Sequence, residues 1–204
     1  MMKAKPKTKA KKRKFFIGID EVGRGPLAGP VAVGAVLATP RMIRRFRAIK
    51  ESKQLSPRAR EEWNERITTL SGDELLFAVS FVSAKIIDSK GITFAIRTAL
   101  HRSLKKLSAD PNSVNVLLDG GLRAPEEYKN QKTIIRGDAT ETVIAMASVV
   151  AKVARDQYMV RLHKKFPQYD FPRHKGYGTS LHVAAIKKHG ISVLHRKSFC
   201  GNFS

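Results

Sequence analysis

Asp20 and Glu21 stand side by side where an apolar run, Phe15-Phe16-Ile17-Gly18-Ile19, gives way to Val22-Gly23-Arg24-Gly25-Pro26-Leu27-Ala28-Gly29-Pro30. Two carboxylates followed by the backbone N–H groups of a glycine-rich turn and an arginine suit a divalent cation with a phosphate beside it. Taken alone, such a pair reads more plainly as solvated acids opening a turn. Two further acids change the weighing. Asp119 ends the apolar run Val114-Asn115-Val116-Leu117-Leu118, and Asp138 follows Thr133-Ile134-Ile135. Four converging carboxylates would raise one another's pKa by mutual repulsion. Two Mg²⁺ or Mn²⁺ ions relieve that repulsion and can drive phosphodiester hydrolysis. The set is all oxygen, with no Cys/His cluster, which favours hard cations over zinc.

These acids need elements to carry them. The run from Phe15 predicts a buried strand ending at the acid pair, because neighbouring strand residues face opposite ways and share a site only where the strand ends. Val31–Leu37 predicts an antiparallel neighbour, and Leu75–Val82 a third strand. Ser56 and Pro57 predict an N-cap and first turn for a helix to about Leu70, with Trp63, Ile67 and Leu70 inward. Helical spacing returns over 92–107 and from 140 to about 166. Residues 166–179 read as irregular, basic and aromatic, and 180–189 as a short helix. Three early strands followed by strand–helix units predict an α/β domain, a mixed sheet flanked by helices.

The charge narrows the partner. There are 39 Lys+Arg against 17 Asp+Glu, net +22. Residues 1–14 hold seven lysines, Arg13 and no acid, so +8 sits in a tail expected to be disordered and +14 remains in the body. A basic body points to a polyanion, most simply nucleic acid. No run nears the roughly 20 apolar residues of a membrane span, and no secretory signal opens the chain. With a single cysteine, Cys200, the expected setting is the cytoplasm.

The stretch Gly18-Ile19-Asp20-Glu21-Val22-Gly23-Arg24-Gly25-Pro26-Leu27-Ala28-Gly29-Pro30-Val31 resembles the signature of the type 2 ribonucleases H, bacterial ribonuclease HII in particular. The resemblance continues through Ser52-Lys53-Gln54-Leu55-Ser56, Leu118-Asp119-Gly120, Arg136-Gly137-Asp138-Ala139, Ala147–Asp156, His174–Thr179 with His182, and His195–Phe199. It implies a ribonuclease H-like fold over residues 15–204, with a small helical and irregular C-terminal substrate-binding segment from about 166. It implies a monomeric, Mg²⁺- or Mn²⁺-dependent endonuclease cutting RNA in RNA–DNA hybrids. It further implies incision 5′ to single ribonucleotides in duplex DNA, leaving 3′-hydroxyl and 5′-phosphate ends.

By position, the resemblance makes Asp20, Glu21, Asp119 and Asp138 the catalytic metal ligands. Gly23, Arg24 and Gly25 would sense the ribose 2′-hydroxyl, Tyr177 would sit against the sugar at the ribo-to-deoxyribo junction, and Lys53 and Ser56 would contact phosphate or sugar. Arg136 stands where the family usually has lysine, Glu51 and Gln54 replace Asp and Lys, and Lys90-Gly91-Ile92 lacks an expected asparagine. Asp156 is a rival fourth acid, read as structural. His174 and His182 are open as general bases or solvated surface groups. A silent duplex-binding protein and a DNA nuclease of the same superfold are the alternatives to a ribonuclease.

Overall fold

A computed structural model describes residues 14–201. The tail predicted to be disordered lies outside the described residues except for Lys14. Strand β1 (Phe15–Val22) is central to a five-stranded sheet of order β3-β2-β1-β4-β5. β2 (Val31–Ala38) and β3 (Leu75–Val82) continue from it as an antiparallel meander. β4 (Val114–Asp119) and β5 (Gln131–Ile134) lie parallel on its other side. Both β1 and β4 are therefore buried on two faces, which is why they read as apolar runs.

The pleat sorts β1 between two cores. Ile17 and Ile19 pack with Ala99, Leu100 and Leu104 of α4 (Ile92–Leu107). Position 18 faces the opposite helix, α6 (Thr142–His163), whose backbone lies directly on the strand. A Cβ on Gly18 would sit 2.1 Å from the Val143 carbonyl oxygen, and one on Gly34 would sit 2.5 Å from that of Ala147. Glycine at both positions is what lets helix and sheet meet backbone to backbone.

Five other helices complete the layers: α1 (Pro40–Arg45), α2 (Pro57–Thr69), α3 (Ala84–Lys90), α7 (Phe171–His174) and α8 (Ser180–His189), with the short turn α5 (Gly137–Thr140) before α6. At the β3 edge, Lys106 Nζ donates to the Val79 carbonyl at 2.7 Å and Arg102 to that of Phe81 at 3.3 Å. Cations thus occupy acceptors that would otherwise template another strand.

Several expectations are corrected. β1 runs through both acids to Val22. Arg41, Arg44 and Arg45 lie on α1, with Met42 and Phe46 buried beneath them. β5 begins at Gln131 and stops at Ile134, leaving Ile135 83% exposed. The helix expected from 140 is split, because Glu141 is extended and separates α5 from α6. Residues 166–179 are not irregular throughout; a 3₁₀ turn (Pro167–Tyr169) and α7 pack Tyr169 and Phe171 on Met159 of α6. Cys200 is buried against Leu27 and Ile186.

The backbone contact at Gly18 has no flexible side chain that could yield. Gly18→Ala is expected to cost about 3 kcal/mol or more, read as a large fall in melting temperature, whereas Gly25→Ala, with open space around it, should leave the melt within error of the parent.

Candidate active site

The β1/β4 register assembles the acids. The last parallel pair is Ile19↔Leu118, so Asp20 and Asp119 follow on adjacent strands and on the same face. The Asp119 carboxylate then accepts the backbone N–H of Asp138 at 3.3 Å, fastening α5 over the end of β4. Asp20 is buried, accepts the Glu21 N–H at 2.7 Å, and is pushed up to about 8 by loss of solvent, with repulsion from Glu21, Asp119 and Asp138 adding to it. The neighbouring Ser148 hydroxyl opposes the shift. Asp138 is pushed up to about 6 by burial, by its hydrogen bond to Glu51, and by repulsion from Asp119 and Glu51, against a lowering pull from Lys53.

Among the described residues no three His, Cys, Asp or Glu side chains already form a cation-binding group. The reason is visible in their partners. Asp20 is turned toward Ser148, Asp138 toward Glu51, and Glu21 holds Arg24 at 2.9 Å. The donor set still fits a hard divalent cation: four carboxylates, two of them held toward the protonated form by burial and by neighbouring acids, a cost that positive charge would offset. Asp156 is absent from the acids crowding Asp20 and instead binds Lys152 at 2.8 Å, in keeping with its structural reading.

Ser148 reaches Asp20 because α6 sits so close to the sheet beside Gly34, the cross-strand partner of Asp20. Its Oγ also lies 2.8 Å from Ser52 Oγ, and both serines are buried. Ser148 Oγ donates its proton to Ser52 Oγ, so Ser52, Ser148 and the Asp20 carboxylate beside them form one polar chain. That chain ties the 50–56 loop to the acids. Lys53 is exposed at the loop's tip, while Ser56 spends its oxygen capping α2 by accepting the Ala59 N–H at 3.2 Å.

The glycine-rich turn is held from beneath. Arg196 is fully buried and donates to the carbonyls of Gly23 (2.7 Å), Arg24 (2.8 Å) and Gly29 (3.0 Å). Arg155, equally buried, donates to Pro30 (2.9 Å), Lys175 (3.0 Å) and Ala28 (3.2 Å). With the Gly23 and Arg24 carbonyls turned inward, trans-peptide geometry turns the N–H groups of Arg24 and Gly25 outward. Neither donates to a protein acceptor among the described residues. Gly23 (φ +88°) has no room for a Cβ, which would meet Arg155 Nε at 2.3 Å; at Gly25 the space is open. Both guanidiniums are off their ordinary pKa in the lowering direction through burial.

Tyr177 lies on a loop locked to that turn. Leu27 N–H donates to the Gly176 carbonyl at 2.8 Å, and a Cβ on Gly176 would collide with the Ala28 carbonyl. The ring is 38% exposed, with Arg155 and Lys152 cations 5.7 Å from its centre. Behind it, His174, His182 and His195 form a buried cluster; His182 bonds the Tyr177 carbonyl at 3.0 Å and His195 at 3.1 Å. His174 and His182 are therefore neither surface groups nor bases for the acid site. They are internal props of the Tyr177 loop.

Sequence reasoning missed Arg155, Arg196, Ser148 and Ser52. An arginine inside the apolar stripe of α6 was the available signal for Arg155; the other three stand inside segments that match the family, but nothing local names their partners, which come from distant parts of the chain.

The residue 17–202 stretch matches the family model described as Ribonuclease HII. A ribonuclease HII of Caldicellulosiruptor bescii is 38% identical over 189 residues, covering 93% of this chain and 88% of the relative. One from Chlamydia pneumoniae is 43% identical over 182 residues, covering 89% and 81%. Among solved structures, the ribonuclease HII of Archaeoglobus fulgidus, determined with PCNA, superposes with TM-score 0.72 at 24% identity over 89% of this chain and 93% of that one. A Bst ribonuclease HIII determined with Mn²⁺ gives TM-score 0.73 at 20% identity over 92% and 67%. At these identities the structures speak for the fold, and the sequence relatives for the family.

Two outcomes follow. Burial holds His182 and His195 down to about 4, below their unfolded value, so they stabilise the fold above about pH 6.5 and that contribution is lost as pH falls toward 4. Melting temperature should drop by at least about 10 °C across that window, with a shallower slope in His182→Gln. Arg196→Lys keeps a charge but not the three-pronged fork. Its catalytic efficiency should fall about a hundredfold with unchanged far-UV circular dichroism; parental activity in that variant would show that the clamp does not position the turn.

Proposed function

The chain belongs to the ribonuclease HII family, and on that premise we propose how its own residues divide the work. It is a metal-dependent endoribonuclease acting on RNA in RNA–DNA hybrids. We assign cation binding to Asp20, Glu21, Asp119 and Asp138. The observation carrying this assignment is the β1/β4 register, which puts Asp20 beside Asp119, joined to the Asp119–Asp138 contact at 3.3 Å. Bound there, Mg²⁺ or Mn²⁺ would supply charge stabilisation for a phosphodiester under attack by water.

The remaining roles belong to the chain. Arg24 is held by Glu21 at 2.9 Å, and with Glu21 engaged as a cation ligand the Arg24 guanidinium would be free for a substrate phosphate. The outward N–H groups of Arg24 and Gly25, with Gly23, contact the ribonucleotide, where the 2′-hydroxyl distinguishes RNA from DNA. Tyr177 packs on the next sugar, which must lack that hydroxyl. Lys53 contacts phosphate from the far side of the acids, and Ser56 has a hydroxyl proton left to donate while its oxygen caps α2. Incision then falls 5′ to a single embedded ribonucleotide and leaves 3′-hydroxyl and 5′-phosphate ends. No described helix is long and apolar enough to cross a membrane; action as a cytoplasmic monomer accords with a substrate met inside the cell.

A labelled DNA duplex with one ribonucleotide, beside an all-DNA control, tests this reading. Cleavage 5′ to the ribonucleotide should need Mg²⁺ or Mn²⁺, stop with chelator, and fall at least about a thousandfold in Asp119→Asn and Asp20→Asn. Asp20→Asn should also melt higher than the parent without metal at neutral pH, because it removes a carboxyl that folding must protonate against its ordinary pKa. Equal cutting of the all-DNA duplex would overturn the substrate assignment.

A further inference from the structure

A second basic feature begins where the acid site ends. A groove of about 640 Å³ opens beside Tyr177, lined by Arg60, Lys152, Arg161, Arg173 and Lys175. One wall is α6. Ser148, Lys152, Asp156 and Val160 succeed one another at four-residue steps along a single helical face, and the last three line the groove. From Ser148, beside Asp20, that face extends about 18 Å at 1.5 Å per residue, and Lys152 to Arg161 spans about 14 Å of the helix. The opposite wall is the start of α2, where Arg60 donates at 2.7 Å to the carbonyls of Ser52 and Leu55 and so fastens the wall to the Lys53 loop. The groove is thus built on the same frame as the acids.

Its charge is one-sided. Five cations meet two acids, Glu61 and Asp156, and Asp156 is already taken by Lys152. Arg161 is exposed and has no acidic partner among the described residues. Arg173 is exposed and only loosely paired with Asp170, at 3.9 Å. Cations spread along a wall of about 14 Å match about four successive phosphates of one duplex strand, which are spaced about 3.4 Å along the axis.

We propose that this groove carries the DNA backbone of the ribonucleotide-bearing strand on the 3′ side of the ribonucleotide. The inference rests on the reading of Tyr177 as the residue under the first deoxyribose beyond the ribonucleotide. Strand polarity then follows: the scissile phosphate lies at the acids, Tyr177 is one step toward the 3′ end, and the groove lies past it. Arg161 and Arg173 are the free phosphate contacts of this track, and Lys152 and Lys175 line its floor next to Tyr177.

Two substrate series test it, each a duplex with one ribonucleotide and one flank held at about ten base pairs while the other is shortened. With the intact full chain, shortening the 3′ flank from about six to two base pairs should raise KM about tenfold, and shortening the 5′ flank should do far less. Arg161→Ala/Arg173→Ala, confirmed folded by its melt, should raise KM about tenfold on the long duplex and lose the 3′-flank dependence, with the effect on KM and not kcat. Its log–log salt slope should fall by about 2. Arg44→Ala/Arg45→Ala removes the same charge at the other end of the sheet and should keep the parental 3′ dependence. A groove variant that tracks the parent through the 3′ series, or a control variant that matches the groove variant, overturns the proposal. Failure of the underlying reading looks different: the parent itself then makes no ribonucleotide-specific product on any duplex.

Discussion

Helix α6 lies on the sheet with nothing between the two backbones. At Gly18 and Gly34 even a methyl group would collide with a helix carbonyl. Side chains normally keep a helix some 10 Å from a sheet, and removing them at two adjacent positions draws α6 onto β1 and β2 at the level of Asp20. Much else follows from that contact. Ser148 comes within hydrogen-bonding reach of Asp20, Ser52 is drawn in behind it, and the loop bearing Lys53 is set against the acids. Further along the same helix, Arg155 reaches under the glycine-rich turn and Lys152 reaches Tyr177. One helix therefore serves as the reference to which acids, turn and tyrosine are all aligned.

The second constraint is the burial of two guanidiniums with carbonyl oxygens as their only hydrogen-bond partners in the described residues. Burying a charge is costly unless its donors are satisfied, and each of these arginines donates three hydrogen bonds to backbone. The return on that arrangement is directional. A loop of glycines and prolines has few side chains to hold it, so its peptide planes must be oriented from outside. Arg196 does so by taking two consecutive carbonyls, and the N–H groups behind them then face outward. The buried histidines extend the same logic to the Tyr177 loop: polar enough to bond its backbone, neutral enough to be tolerated inside.

The acids work in the opposite sense. Asp20 and Asp138 are held toward the protonated form by burial and by neighbouring acids, so without a cation, ionising the whole set is disfavoured. A cation bound there is favoured by offsetting that cost and not only by direct coordination. Around this negative centre the surface is strongly basic, with net charge +22 over the whole chain. A polyanion is drawn to the surface generally, while the acid cluster is the place we assign to the divalent ions.

Much of this was legible in the chain itself. Apolar runs ending on Asp20 and Asp119 marked β1 and β4, because a strand buried on both faces has to be apolar throughout. Glycine and proline after Glu21 marked the turn, Ser56 and Pro57 the start of α2, and the spacing of a known signature the four acids and Tyr177. Short elements escaped: α1 reads as basic surface because one Met and one Phe carry its inward face, and β5 slipped by two residues because neither face of an edge strand is deeply buried. What local pattern could not carry was who meets whom across the fold. Arg196 lies 172 residues from Arg24, Ser148 lies 96 from Ser52, and nothing in either neighbourhood announces the other. Composition and periodicity decide elements because they act over a few residues; the partners of a buried polar group are decided only when the folded backbone leaves it one place to find them.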